Sequence, residues 1–290
     1  MYQGYALAIF AYIIWGLLPL YFKMIGRVPI IEVVIHRTFW VATSGAALMI
    51  CFRYFNWWRD LRENPARFLN LTFSGLLIFT NSAMYAWSVN SNRILDTSLG
   101  YYLSPIVSVF LGLVFCGERL RRMQWVAVFL AVVGVVLQVW HAKALPWVSL
   151  VLAFTFSFYG LVRKKTLVDP LPGLVVETTL LIPAALAWLF FLPSAITIKP
   201  IFWDTVDACW LIAAGPITLL PLICYNVAAR RLPYTSLGFL QYLSPTLVFL
   251  QAVLLFGEEL RLSKFISFVC IWAGLGVYSV DSWLASRRPA

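Results

Sequence analysis

The sequence spells the same three words twice, and that doubling is what most constrains the fold. Thr97-Ser98-Leu99-Gly100, Leu103-Ser104-Pro105 and Gly117-Glu118-Arg119-Leu120-Arg121 stand in the first half. Thr235-Ser236-Leu237-Gly238, Leu243-Ser244-Pro245 and Gly257-Glu258-Glu259-Leu260-Arg261 follow in the same order in the second. The first words stand 138 residues apart and the other two pairs 140, so one two-residue insertion reconciles them. Weaker matches extend the repeat: Trp15-Gly16 with Tyr159-Gly160, Pro29 with Pro170, His36 with Glu177, and Trp87-Ser88-Val89 with Tyr225-Asn226-Val227. In an apolar chain, a repeat this long points to a membrane transporter built from two related halves.

Composition makes the chain apolar enough for that reading. Hydrophobic residues make up 62% and charged residues 12%, against about 25% charged in an average soluble domain. So few polar residues cannot clothe a water-soluble fold of 290 residues. The apolar runs lack the alternation of barrel strands and read as helices. A spanning helix needs about 20 apolar residues. Ten runs qualify: Gly4–Phe22, Ile31–Phe52, Asn70–Val89, Thr97–Cys116, Met123–His141, Leu145–Val162, Leu171–Leu192, Asp207–Ala229, Thr235–Phe256 and Ser263–Trp283. The expectation is an all-α polytopic membrane protein of ten transmembrane helices, with repeats at residues 1–143 and 144–290. Five crossings is an odd number, so the second repeat enters from the opposite face and the pair is inverted.

Charge sets the orientation. With the N-terminus in the cytoplasm, the inside segments carry 14 Lys and Arg and the outside segments 7. That bias puts both termini in the cytoplasm, and the net charge of +10 becomes a topology signal instead of a nucleic-acid patch. The first apolar run lacks a basic leader and a cleavage site, so it reads as a retained helix. The longest loop, Arg53 to Arg67, suits an interfacial anchor with its tryptophans and arginines. Five cysteines without a CxxC pair and only two histidines, His36 and His141, predict no disulfide framework, metal site or cofactor.

The aromatic-Gly near the end of each first helix and the Gly-Glu after each fourth resemble the EamA family of the drug/metabolite transporter superfamily. His36-Arg37, Asn90-Ser91-Asn92-Arg93 and Ala228-Ala229-Arg230-Arg231-Leu232-Pro233 resemble its RarD branch, the chloramphenicol-sensitivity family. The resemblance covers essentially the whole chain. It implies a bacterial inner-membrane location and a central cavity lined by the first four helices of each half, with the fifth and tenth outside. It leaves the substrate open.

Among single residues, Arg37 lies about 10 Å into the second helix at 1.5 Å per residue. An arginine at a helix centre costs about 2.5–3.5 kcal/mol on the insertion scale, so it should face a cavity or a partner. Its guanidinium suits a substrate carboxylate, with His36 beside it; the structural alternative is a tie to Glu32 or to headgroups. Glu177 is the one acid well inside an expected run. Burial disfavours the ionised form of a carboxyl, the property a proton-coupling site requires. Inversion places Arg37 near the outer mouth and Glu177 near the inner one. Pro105 and Pro245, with Gly100 and Gly238 upstream, predict a kink or hinge in each fourth helix. Glycine should end that helix, with Glu118 and Glu258 meeting the N-terminal end of the next.

On the helices that the resemblance assigns to the cavity, Trp15, Asn81, Tyr85, Trp87, Tyr101, Tyr102, Ser104, Tyr225, Asn226, Gln241, Tyr242 and Ser244 would suit a modest organic molecule with an apolar body and a few polar groups. A secondary transporter of a small amphipathic metabolite, such as an amino acid or related carboxylate, is the first reading. Export of drug-like molecules is the alternative within the class, and a receptor or structural subunit is the alternative outside it. Neither a Walker motif nor a converging set of catalytic side chains is present, which argues against a pump and an enzyme. The partners expected are a small-molecule substrate and the lipid bilayer, with no nucleic acid; the sequence leaves the oligomeric state open.

Overall fold

In lipid, every backbone polar group must be satisfied within the segment, so apolar runs of this length fold as helices. The computed structural model describes residues 2–25, 28–54, 57–91, 94–142, 147–191, 197, 206–255 and 262–286. Among these stand twelve helices and no strand. In order they are α1 (Tyr2–Met24), α2 (Ile30–Cys51), α3 (Trp57–Glu63), α4 (Pro65–Asn90), α5 (Ile94–Phe115), α6 (Arg122–Ala142), α7 (Trp147–Lys165), α8 (Pro170–Phe190), α9 (Val206–Arg231), α10 (Tyr234–Gln241), α11 (Leu243–Leu254) and α12 (Leu262–Ser286). Seven are long and apolar enough to cross a membrane, counting α10 and α11 as one, and Leu99–Phe115 is a shorter apolar helix. Gly257-Glu258-Glu259, Asn92-Arg93 and the loop cations Arg27, Lys143, Lys199, Arg261, Arg287 and Arg288 lie outside the described residues.

Helices cover all ten expected runs, with two additions. The long loop contains α3, whose Leu61 packs with Leu71, Val168 and Val176. The ninth run is broken into α10 and α11 at Tyr242. Helix ends follow local chemistry. Pro65 and Pro170 open α4 and α8, and Pro29 and Pro233 cap α2 and α10, all places where a missing N–H costs nothing. Gly117, at φ 64°, ends α5. Arg53, at φ 55°, ends α2, where Tyr54 N donates to Met49 O at 2.9 Å and Arg53 N to Ile50 O at 3.1 Å, the paired bonds of a left-handed helix stop.

The helix pairings come in couples. α5 packs on α7, and α11 on α1; α2 packs on α9, and α4 on α8; α1 packs on α9, and α4 on α7. α2 pairs with α8, α5 with α10, and α6 with α12. The last pair stands at the edge of the bundle. There a Cβ on Gly134 would meet Ser267 O at 2.8 Å, and one on Gly274 would meet Ala127 O at 2.9 Å. Small residues let two backbones meet where apolar area gives no driving force.

The two Leu-Ser-Pro words behave differently. α5 runs unbroken through Pro105, whereas the helix around Pro245 stops at Tyr242 and restarts, leaving Pro245 in the first turn of α11. Gly238 sits against Pro105 O, where a Cβ would come to 2.9 Å, so the second Thr-Ser-Leu-Gly word packs on the first Leu-Ser-Pro word.

The α6–α12 crossing gives a direct test. Gly274→Ala is expected to lower the thermal midpoint in detergent, through an overpacking loss of about 1–3 kcal/mol. Gly276, on the same helix with nothing within 4 Å of its Cβ position, is the control. Gly276→Ala should leave the midpoint unchanged or raise it, since Ala is the better helix former by about 1 kcal/mol.

Candidate functional site

The two ends of the bundle differ in charge and in closure. At the first, α1 and α4 end and α2 and α5 begin; Tyr21 Oη donates there to Trp210 O near the start of α9, at 2.9 Å. Arg37, about two turns into α2, donates through Nη2 to Ser82 Oγ on α4. Ser82 Oγ in turn donates to Ile78 O at 2.8 Å. The phenols of Tyr21, Tyr85 and Tyr101 lie within electrostatic reach of the guanidinium. Among the described residues Arg37 forms no ion pair, and its hydrogen-bond partner is a neutral hydroxyl. Glu32 instead accepts from Thr197 N at 2.9 Å and from Thr197 Oγ1 at 2.6 Å.

The side chains of this region, the Arg37 chamber, are not fully enclosed. Arg37 and Tyr85 are half-buried, and Tyr101 is 46% exposed although it stands seven residues into its helix. Tyr85 and Tyr101 approach at 6.3 Å between ring centroids, as do Phe22 and Tyr85. Asn81 leads inward, with Nδ2 donating to Leu152 O and to Thr155 Oγ1, both at 2.9 Å. His36 points elsewhere. It lines an apolar cavity of about 200 Å³ between α2 and α8, with Phe39, Trp40, Ile182 and Leu186 among its walls.

Beyond Thr155 lies an aromatic barrier. Trp15 meets Phe156 at 5.7 Å and Tyr225 at 5.5 Å. Tyr225 stacks on Tyr159 at 6.5 Å and packs edge-on against Tyr12 at 6.2 Å. Tyr12, Tyr159, Tyr225 and Tyr234 are fully buried. Their hydroxyls are engaged where a helix carbonyl is in reach: Tyr12 Oη donates to Leu237 O at 3.1 Å and Tyr234 Oη to Ser157 O at 2.5 Å.

At the second end, where α7 and α9 finish and α8 and α10 begin, charge is buried. Glu177 is 1% exposed. Its Oε1 accepts from Ser74 Oγ and lies 3.4 Å from Arg163 Nε. Arg163, itself 3% exposed, also directs Nε to Asn226 Oδ1 at 3.4 Å and Nη2 to Pro170 O at 3.3 Å. Asn226 Nδ2 donates to Tyr159 Oη at 3.2 Å, joining this cluster to the barrier. Glu177 Oε2 and Arg163 Nη1 have no hydrogen-bond partner.

The two-residue turn between α9 and α10 is gripped from two sides. Lys164 Nζ donates to Ala229 O at 2.8 Å and Leu232 O at 2.5 Å. Glu118 Oε1 and Oε2 accept from Tyr234 N at 2.5 Å and Thr235 N at 2.8 Å. A carboxylate on exposed N-terminal amides is favourable in charge and hydrogen bonding alike. Glu118 thus meets a helix N-terminus, as its sequence position suggests, but that of α10 and not of the following α6. The reason is spatial: α5 ends against the start of α10, and a Cβ on Gly112 would meet Thr235 at 2.9 Å.

The remaining predicted residues are distributed unevenly. Ser104, Ser108 and Ser157 are buried, and Ser157 Oγ is hydrogen-bonded to Ser104 Oγ at 3.2 Å and accepts from Ser108 Oγ at 3.1 Å. Gln241 Nε2 donates to Ser104 Oγ at 2.8 Å. Tyr242 Oη donates to Tyr102 O at 3.4 Å, and Ser244 Oγ to Tyr12 O at 2.7 Å. These side chains join helices in this conformation. Trp87 stands at the α4–α7 edge against Trp147, 5.5 Å away. Sequence reasoning missed Ser82, Ser74 and Arg163. The signal for Arg163 was available: Arg163-Lys164-Lys165 are consecutive helix residues about 100° apart, so they cannot all face water.

Comparison with known proteins agrees with this architecture. The profile of the EamA-like transporter family matches residues 2–140 and again 144–280. An uncharacterized transporter of Pseudomonas aeruginosa is 55% identical over 99% of this chain and 96% of its own. Protein RarD of Escherichia coli is 41% identical over 99% and 97%, and the chloramphenicol-sensitive protein RarD of Pseudomonas aeruginosa is 31% identical over 99% and 97%. A crystal structure at 19% identity superposes with a TM-score of 0.73, each chain covered to 97%.

The grip on the α9–α10 turn predicts a stability effect. Glu118→Ala should destabilise the protein by about 1–2 kcal/mol, the range for a lost N-terminal cap. Glu118→Gln, which keeps an acceptor without the charge, should lose less. Thermal melts of the two variants in one detergent check the order.

Proposed function

Since this chain belongs to the EamA-like transporter family and is a multi-pass membrane transporter of the drug/metabolite superfamily, we propose that it moves a small amphipathic carboxylate, such as an amino acid or related metabolite, by alternating access. The observation that carries this reading is Arg37: a guanidinium inside the helical bundle, partly accessible, with three phenols near it and no carboxylate partner among the described residues. A cation at that depth needs a counter-charge. A substrate carboxylate supplies one through two parallel hydrogen bonds, while Phe22, Tyr85 and Tyr101 receive the apolar part of the ligand.

The ten runs are read as ten crossings, arranged as inverted repeats that divide between residues 143 and 144. Support comes from the coupled helix pairings, and from Gly134 and Gly274 packing on Ser267 and Ala127, each pair 140 apart. The double match to the family profile breaks at the same place. With both termini cytoplasmic in a bacterial inner membrane, the Arg37 chamber faces outward and the Glu177 end is closed. Glu177 is the carboxyl proposed for proton coupling.

Flux into proteoliposomes tests the reading, with labelled amino acids, aromatic carboxylates and uncharged amphipathic drugs supplied at low concentration. Carboxylates are expected to move. Arg37→Gln should reduce their uptake about 10- to 100-fold, the loss expected for charge-assisted hydrogen bonds worth about 1.5–3 kcal/mol. Arg37→Lys should retain part of it. Uptake of uncharged drugs alone, indifferent to Arg37→Gln, overturns the carboxylate reading. Concentration driven by an imposed pH gradient and lost in Glu177→Gln would assign the proton to Glu177; flux indifferent to the gradient would refuse that assignment.

A further inference from the structure

The bundle contains a second arginine that the chamber does not use. Arg163 is buried where α7 meets α8 and α9, and the chain makes room for it. Gly173 lies four residues before Glu177 on the same face of α8, and a Cβ there would strike the Arg163 guanidinium. Yet the guanidinium is loosely held. A full carboxylate–guanidinium pair makes two parallel bonds of about 2.7–2.9 Å. Here Glu177 engages Nε alone at 3.4 Å. Arg163 Nη1 and Glu177 Oε2, both buried, have no hydrogen-bond partner. Half of the fork is therefore unfilled in the closed state.

We propose that Arg163 is a second carboxylate site on the transport path, occupied by Glu177 while this end is closed and exchanged for the substrate carboxylate when it opens. The proposal rests on the reading of the protein as a carboxylate carrier. The Glu177 carboxylate stands in for the substrate's, so Arg163 keeps a counter-charge at either stage, and the displaced Glu177 carboxylate is neutralised by taking up a proton from water, the role proposed for it above. The position fits a path. Arg163 is joined through Asn226 to Tyr159, and Tyr159 through Tyr225 to Trp15, the barrier that separates this end from the Arg37 chamber. The ion pair also holds the end shut. Arg163 ties α7 to α8 and α9, and Ser74 ties α4 to the same carboxylate.

The test reads accessibility and needs no flux. Cys224 packs in the core cluster with Tyr12, Tyr159 and Tyr225 and is 7% exposed. It becomes the sole thiol when Cys51, Cys116, Cys209 and Cys270 are replaced by serine. N-ethylmaleimide labelling of Cys224 is followed in detergent. Glu177→Gln is expected to raise the labelling rate about fivefold or more, the lower range for coupled sites. Gly173→Ala should do the same without altering a charge, and the exchange Arg163→Glu with Glu177→Arg should return the rate towards the parent value. Benzoate at millimolar concentration should shift the rate in Glu177→Gln but have no effect once Arg163→Gln is added.

An unchanged rate in both Glu177→Gln and Gly173→Ala overturns the gate. A benzoate response that survives Arg163→Gln overturns the site. Monodisperse elution separates either result from misfolding, and the exchange variant keeps the test open if Glu177→Gln does not fold. Failure of the carboxylate reading would show instead as flux indifferent to Arg37→Gln, so the two failures are distinguishable.

Discussion

A charged group inside a bilayer must find its counter-charge in the protein or in a ligand, and the two buried arginines solve that problem in opposite ways. Arg163 has Glu177 beside it; Arg37 has a hydroxyl and three phenols. Phenols lend partial negative charge but no full countercharge, so among the described residues the Arg37 guanidinium has no paired anion, whereas the Arg163 guanidinium has one. Under the proposed reading, the contrast separates the end that receives an anion from the end where Arg163 is already paired. It also explains why accessibility follows charge. Arg37 must stay partly wet to be tolerable, whereas the paired groups can be sealed under aromatic rings.

Packing supports the charges instead of competing with them. Without a hydrophobic force between helices, close approach depends on small residues, and the glycines fall where a functional side chain needs space. Gly173 admits the Arg163 guanidinium, and Gly75 lies against the backbone of Glu177, where a Cβ would come to 3.3 Å. The edge pair of α6 and α12 uses glycine for contact alone. Glycine thus marks a helix crossing in one place and the room for a charge in another.

The helix layout was legible in the sequence because hydrocarbon thickness fixes the length of each apolar run, and proline or glycine marked several ends. Arg37 was legible as a candidate because a cation in such a run must face a cavity, a partner or the headgroups. Side-chain partners were not. Glu118 and Thr235 are 117 residues apart in the chain, and nothing local announces that one caps the other. The Leu-Ser-Pro words are identical, yet only the second accompanies a helix break. Their surroundings differ: Gln241 crosses to Ser104, while Tyr101, in the corresponding place before Pro105, faces the chamber. A repeat specifies shared architecture, and the residues that differ between copies set what each end does.

That last point bears on how the ends come to be unequal. His36 and Glu177 occupy matching positions in the two halves, but His36 faces an apolar cavity beside α8 while Glu177 faces an arginine. The second end is further tied by Lys164 and Glu118 on either side of the α9–α10 turn, and by Arg121 on Asp281 at 2.6 Å and Arg231 on Gln3 at 2.8 Å. Cations placed there for topology also become cross-links between helices. Opening that end therefore means releasing several polar contacts together, each replaceable by water at the membrane surface, where the exchange is nearly even in free energy. The buried pair of Glu177 and Arg163 is the exception, since neither side chain meets water in this conformation, and under the proposed exchange it is the contact that a substrate carboxylate would replace.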